Sequence, residues 1–179
     1  MRWLGISLIA LAAAWAGFYL SAVYFKEPLP ASRISPGAAM VGQARPDFSL
    51  GSSTGKVITA NEYDGKVWLV NFWATWCEPC RREMPMLMDL QTQFGPQGLQ
   101  VVGIALDDVQ SARDFAHQYK IDYPILVGAG DVMETSIAFG NVDGVLPYSA
   151  LVDRHGIIRW QYIGEIPHME IILLLEEYL

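Results

Sequence analysis

Cys77 and Cys80 are the only cysteines in 179 residues, with Glu78 and Pro79 between them. Before the pair runs Val67-Trp68-Leu69-Val70-Asn71-Phe72-Trp73-Ala74, an apolar stretch that reads as a buried strand. The residues after it, Arg81 to Phe94, read as a helix. A C-x-x-C at a strand-to-helix junction is the sequence form of a dithiol redox centre. This placement is the strongest constraint on the fold, because a strand must end and a helix begin within a few residues of both sulfurs.

The chemistry needs this spacing. Two intervening residues bring the Cα atoms within the roughly 4.4–6.8 Å that a disulfide can bridge. A helix N-terminus points free N–H groups and the positive end of the dipole at the first sulfur. That favours the thiolate, which is the attacking species. Pro79 is tolerated in the first turn, where its missing N–H costs nothing. Cys77 is therefore expected to be the exposed nucleophile and Cys80 the partly buried resolving thiol. Two blander readings compete. A structural zinc site needs four ligands, and His117, His155 and His168 are scattered without ligand spacing. A purely structural disulfide across two residues would constrain the unfolded chain little.

The segment from Trp3 to Phe25 holds 23 residues without a charge. At about 1.5 Å per residue it reaches roughly 34 Å, enough for a hydrocarbon core of ~30 Å. Arg2 precedes it, so the positive-inside tendency keeps the N-terminus cytoplasmic and the remaining chain outside. A cleaved signal peptide competes, because Ala14-Trp15-Ala16 is an A-x-A-like site. The apolar run continues past that site to Phe25 and favours an uncleaved signal-anchor over residues 1–25. Residues 26–45 carry Pro28, Pro30 and Pro36 and read as a semi-rigid linker, leaving one ordinary domain over 46–179. The net charge of −7 and the lack of a basic stripe leave nucleic-acid binding without an electrostatic footprint.

Within the domain, Phe48–Leu50 and Lys56–Thr59 flank Gly51-Ser52-Ser53-Thr54-Gly55 as a hairpin. Leu99–Leu106 reads as the next buried strand, and Asp107 or Asp108 as the cap of a helix from Val109 to about Tyr119. A short strand over Tyr123–Val127 and a helix over Asp131–Phe139 follow. Tyr148–Asp153 and Ile157–Tyr162 form a hairpin across Arg154-His155-Gly156, and Pro167–Tyr178 a last helix. Pro85 is expected to kink the helix it sits in. Strands alternating with helices, closed by a hairpin and a helix, give a mixed α/β sheet.

Trp76-Cys77-Glu78-Pro79-Cys80 after Val70-Asn71-Phe72-Trp73-Ala74-Thr75, with Arg81-Arg82-Glu83-Met84-Pro85 following, resembles the TlpA/ResA-like family of extracytoplasmic thioredoxins. Gly144-Val145-Leu146-Pro147, then Tyr148 to Asp153 and His155-Gly156, resembles the family's second signature. The resemblance covers Pro46 to Leu179. It implies a thioredoxin-like fold, a mixed central sheet flanked by helices, with an added N-terminal β-hairpin and an insertion between the central strands. It also implies a cis peptide at Leu146–Pro147 beside the disulfide, with Trp76, Leu146 and Pro147 meeting substrate; an ordinary strand-entry proline is the alternative. Glu83 matches an acidic residue that these proteins place near the site, and three residues from Cys80 is nearly one turn. Its carboxylate would accept the Cys80 proton during exchange; a surface glutamate paired with solvent or arginine is the alternative. Asn71 stands where thioredoxin itself carries a buried aspartate. Two residues, not one, separate Gly144 from Pro147, and Tyr148 follows where threonine or glutamate is common.

Glu78 and Glu83 oppose a thiolate, which favours a pair that gives electrons away. The expected function is an extracytoplasmic thiol–disulfide oxidoreductase that reduces protein disulfides through Cys77 and Cys80, with no cofactor and no metal. The family implies apocytochrome c or copper-site cysteines as substrates and a membrane electron donor of the disulfide-transporter type. The alternatives are a copper-handling chaperone using the two thiols as soft ligands, and a thiol peroxidase-like enzyme.

Overall fold

The computed structural model describes residues 40–179, so the Trp3–Phe25 segment and most of the proline-rich stretch lie outside the described residues. A seven-stranded mixed sheet runs through the domain. Its strands are β1 (Ser49–Ser52), β2 (Val57–Thr59), β3 (Val67–Trp73), β4 (Leu99–Leu106), β5 (Ile125–Gly128), β6 (Tyr148–Val152) and β7 (Ile158–Ile163). They lie in the order β2-β1-β5-β4-β3-β6-β7. The central β3, β4 and β5 are mutually parallel, and the two hairpins flank them antiparallel. Helices α1 (Glu78–Phe94), α2 (Val109–Tyr119), α3 (Gly130–Ala138) and α4 (His168–Tyr178) cover the faces. This is the thioredoxin-like arrangement expected. The N-terminal hairpin extends the sheet beyond β5, and α2, β5 and α3 connect β4 to β6.

All seven residues of β3 are buried, because the strand sits inside the sheet with helices on both sides. Side chains alternate along a strand, so its odd and even positions enter different cores. Val67, Leu69 and Trp73 pack with Met84, Leu87, Leu90 and Phe94 of α1, Phe115 of α2 and Ile171 and Leu175 of α4. Trp68, Val70 and Phe72 pack with Val102, Ile104, Leu126, Val132 and Phe139 on the other side. Asn71 is odd-numbered and therefore lies on the α1 face.

Helix α1 begins at Glu78, three residues before the expected start, which puts Cys80 inside its first turn. The helix continues through Pro85 to Phe94. The hairpin turn between β6 and β7 is held by Asp153, whose Oδ1 accepts the N–H groups of His155 and Ile157. Gly156, at φ 75°, supplies the left-handed conformation that this turn requires.

Residues 40–45, assigned from composition to the linker, are paired with the domain. Gly42 N–H donates to Ile158 at 2.8 Å, Ile158 N–H to Gln43 at 2.9 Å, and Arg45 N–H to Gly156 at 2.7 Å. The Arg45 guanidinium reaches Asp47 and Asp64, both at 2.7 Å, and lies 6.0 Å from the Trp68 ring centroid. Except for Asp47, these partners are far from residues 40–45 in sequence, so local composition could not reveal them. Arg45→Ala should therefore destabilise the isolated domain by about 1–2 kcal/mol, more than an exposed ion pair contributes, because the arginine stem is itself packed. Denaturant unfolding of residues 40–179 with and without the substitution measures this.

Candidate active site

Cys77 is the N-cap of α1, extended at φ −83° and ψ 103°. Its Sγ accepts the Cys80 N–H at 3.3 Å and is bonded to Cys80 Sγ, with the two Cα atoms 5.3 Å apart. The helix entrance thus presents a backbone N–H to the first sulfur, as the spacing requires. Cys77 is less accessible than expected, at 5 %, and Cys80 is fully buried. The reason is packing: both cysteines belong to the apolar cluster of Trp73, Ala74 and Met84. Of the two, Cys77 is the more accessible.

The turn leading into the helix is fixed from β4. Since Trp73 registers with Ala105, Thr75 comes opposite Asp107 as the two parallel strands end. Asp107 Oδ2 accepts both the Thr75 N–H at 2.9 Å and the Thr75 hydroxyl at 2.6 Å. Asp108 is the cap of α2, accepting the Ser111 N–H at 2.9 Å. The aspartate pair therefore divides its work, one holding the cysteine loop and the other the helix.

Glu83 is 4 % accessible and points beneath the helix entrance into the sheet. Its Oε1 accepts Asn71 Nδ2 at 2.7 Å, and its Oε2 accepts the Ile166 N–H at 3.1 Å. Asn71 Nδ2 also donates to Ser149 Oγ at 3.0 Å, while Asn71 Oδ1 is buried without a partner among the described residues. Burial pushes the Glu83 carboxyl up to about 7, against the stabilising hydrogen bonds from Ile166 and Asn71. The reading of Glu83 as a surface residue is thereby overturned: period-2 alternation brings Asn71 under α1, and Glu83 meets it there. Tyr123 is buried close enough for the Glu83 charge to push its phenol further up, and its hydroxyl has no partner among the described residues.

Leu146–Pro147 is a cis peptide leading into β6. Because Phe72 registers with Tyr148, the peptide and the cysteine loop leave the sheet at the same end, on neighbouring strands. Trp76 is 69 % accessible and lines a shallow depression with Glu78, Arg81, Arg82 and Tyr119. Arg82 is engaged by Glu165 and by Glu78, and Arg81 by the Tyr119 hydroxyl at 3.1 Å. The structure thus brings Cys77, Cys80, Glu83, Trp76, Leu146 and Pro147 to one end of the sheet. Sequence reasoning missed Ile166, whose backbone fills the second Glu83 oxygen, and the grip of Asp107 on Thr75. Both are pairings across the fold with no local signature. Among the described residues, no three His, Cys, Asp or Glu side chains cluster as a metal site would require.

Comparison with known proteins agrees with this geometry. Residues 41–161 match the AhpC/TSA family model. The chain is 32 % identical over 126 residues to the thiol-disulfide oxidoreductase ResA of Bacillus cereus, covering 70 % of each protein. It is 30 % identical over 176 residues to the thioredoxin-like protein YneN of Bacillus subtilis, covering 94 % of each. Among solved structures, a putative thiol:disulfide interchange protein DsbE from Chlorobium tepidum superposes with a TM-score of 0.67 at 30 % identity, over 76 % of this chain and 94 % of that one.

A carboxyl that titrates near 4.5 when unfolded and about 7 when folded binds its proton more tightly in the native state. Stability then falls as pH rises between those two values, by about 3 kcal/mol in total. Glu83→Gln should flatten that slope, so that the oxidised variant gains on the parent as pH is raised from 5 to 8. Denaturant midpoints at the two pH values test it; equal slopes for both proteins would remove Glu83 as the titrating group.

Proposed function

The chain belongs to the AhpC/TSA family, in its TlpA/ResA-like thioredoxin branch, and from that premise we propose that it reduces protein disulfides outside the cytoplasm. The observation that carries this reading is the bonded Cys77–Cys80 pair at the N-terminus of α1, next to the buried carboxylate of Glu83.

The reaction follows from these groups. In the reduced protein the Cys77 thiolate attacks one sulfur of a substrate disulfide, forming a mixed disulfide and releasing one substrate thiolate. Cys80 then gives its proton to Glu83, whose elevated pKa makes it a competent acceptor near neutral pH. The Cys80 thiolate attacks Cys77 Sγ, closes the internal disulfide and releases the second substrate thiolate. Two electrons have passed to the substrate. Leu146 and Pro147 would flank the incoming chain, and the exposed face of Trp76 would carry part of it.

Electrostatics support donation. Arg82 is ion-paired with Glu165 and Glu78 and so offers little net charge to a thiolate, while Glu83 opposes one. A poorly stabilised thiolate makes the reduced pair the stronger reductant. Regeneration then needs a dithiol donor, and an oxidising compartment requires it to work through the membrane, as a disulfide transporter does. Apocytochrome c and copper-site cysteine pairs are the substrate classes that this reading favours. Copper handling lacks a third clustered ligand at the cysteines among the described residues.

Cys80→Ser should accumulate covalent complexes with substrate proteins that a reducing agent releases, and Cys77→Ser should form none. Trapping in cells followed by mass spectrometry reads both outcomes, and complexes on Cys77→Ser would reverse the assigned roles. The full-length protein should also sediment with membranes through residues 1–25. A soluble mature form beginning near Gly17 would replace the anchor by a cleaved signal.

A further inference from the structure

The loop from α3 to β6 carries the extra residue noted in the second signature, and the structure shows how it is accommodated. Asn141 is only 1 % accessible. Its Oδ1 accepts the Val145 N–H at 3.0 Å, and its Nδ2 donates to the Val145 carbonyl at 3.0 Å and to Ser136 Oγ at 2.9 Å. Gly144 N–H closes the turn onto the Asn141 carbonyl at 3.1 Å. The amide thus pairs with both backbone groups of Val145, as a neighbouring strand would. A buried side chain that engages three polar groups at once is a rigid anchor, since each lost partner would leave a desolvated group unpaired.

The consequence falls on the next residue. Between Val145, which Asn141 holds on both backbone groups, and β6, Leu146 makes no backbone hydrogen bond through its N–H or its carbonyl among the described residues. The apolar side chains of Val142, 70 % accessible, and Val145, 42 % accessible, stay outside the loop. An extended chain brought to Leu146 would find a fixed backbone edge and an apolar lip beside it. None of the hydrogen bonds of this clamp involves Cys77, Cys80 or Glu83.

We propose that Asn141 is a positioning residue for substrate capture: by fixing Val145 it sets the edge at Leu146 that receives an extended segment of a disulfide-bonded protein, and it governs affinity without changing the thiol chemistry. This rests on the reading of Leu146–Pro147 as the substrate-facing peptide. Gly144, at φ 62° and with space for a Cβ only 3.3 Å from Met133 Sδ, gives an independent way to disturb the same turn.

The test uses the full chain with dithiothreitol as electron source and insulin as the protein disulfide. Asn141→Ala and Gly144→Ala should raise the KM for insulin roughly 10-fold, with kcat and the exchange rate with a small aromatic disulfide within about twofold of the parent. Asn141→Asp can accept from Val145 N–H but cannot donate to its carbonyl, and should lie between. The reduction potential against glutathione should be unchanged in all three. An inactive parent would undo the functional reading itself. An active parent whose KM is unmoved by both alanine variants would overturn the role of Asn141. Equal losses against insulin and the small disulfide would show damage to the thiol centre and would also overturn it. If Asn141→Ala does not fold, Gly144→Ala alone decides between these outcomes.

Discussion

Strand β3 is packed on both faces, and that constraint determines where each part of the redox site lies. Its apolar run ends at Trp73, and the chain must turn within Ala74–Trp76 before α1 covers it. The turn is short enough for a single Asp107 oxygen to hold it by Thr75. The cysteines follow at the helix entrance, and the one polar residue on the α1 face of the strand is Asn71. A polar group there must be paired or costs on the order of 1–3 kcal/mol. Glu83 is the side chain that α1 delivers to it. The carboxylate is therefore buried as a consequence of packing, and its raised pKa follows from the burial.

Much of this was legible in the sequence because it is local. The C-x-x-C, the strand before it and the helix after it lie within one continuous stretch, and each has its own period. The alternation of strands and helices likewise identified the sheet. The start of α1 shifted by three residues because Cys77 takes its cap position, whereas α2 starts where the sequence put it, with Asp108 as its cap. Pairings between distant segments were illegible. Arg45 with Asp64 and Ile166 with Glu83 have no periodic signature, and neither has the local pairing of Asn141 with Val145, four residues on in an irregular loop. The buried state of Glu83 was also beyond local reading, since a polar residue two turns into a helix is usually solvated.

The charges around the cysteines are arranged in pairs. Two arginines follow Cys80 directly, and sequence alone would allow either to stabilise a thiolate. Arg82 instead bridges Glu78 and Glu165, and Arg81 lies against Tyr119 with its guanidinium 6.0 Å from the ring centroid. The site keeps a polar rim for solubility while leaving the sulfurs little electrostatic help beyond the helix entrance. That balance suits a protein whose reduced form must surrender electrons.

The carboxamide of Asn71 has a donor end and an acceptor end of nearly the same shape, whereas both ends of a carboxylate only accept. In the structure Nδ2 donates to Glu83 and to Ser149, which suits an ionised carboxylate, and Oδ1 has no partner among the described residues. Were Glu83 to carry a proton, a half-turn of the amide would exchange its ends. Oδ1 would then face the carboxylic O–H and the Ser149 hydroxyl, both of which can donate. One planar group can in this way satisfy either protonation state of its neighbour without moving the backbone. An aspartate at that position would face the ionised glutamate as a second anion, and the two would have to share a proton.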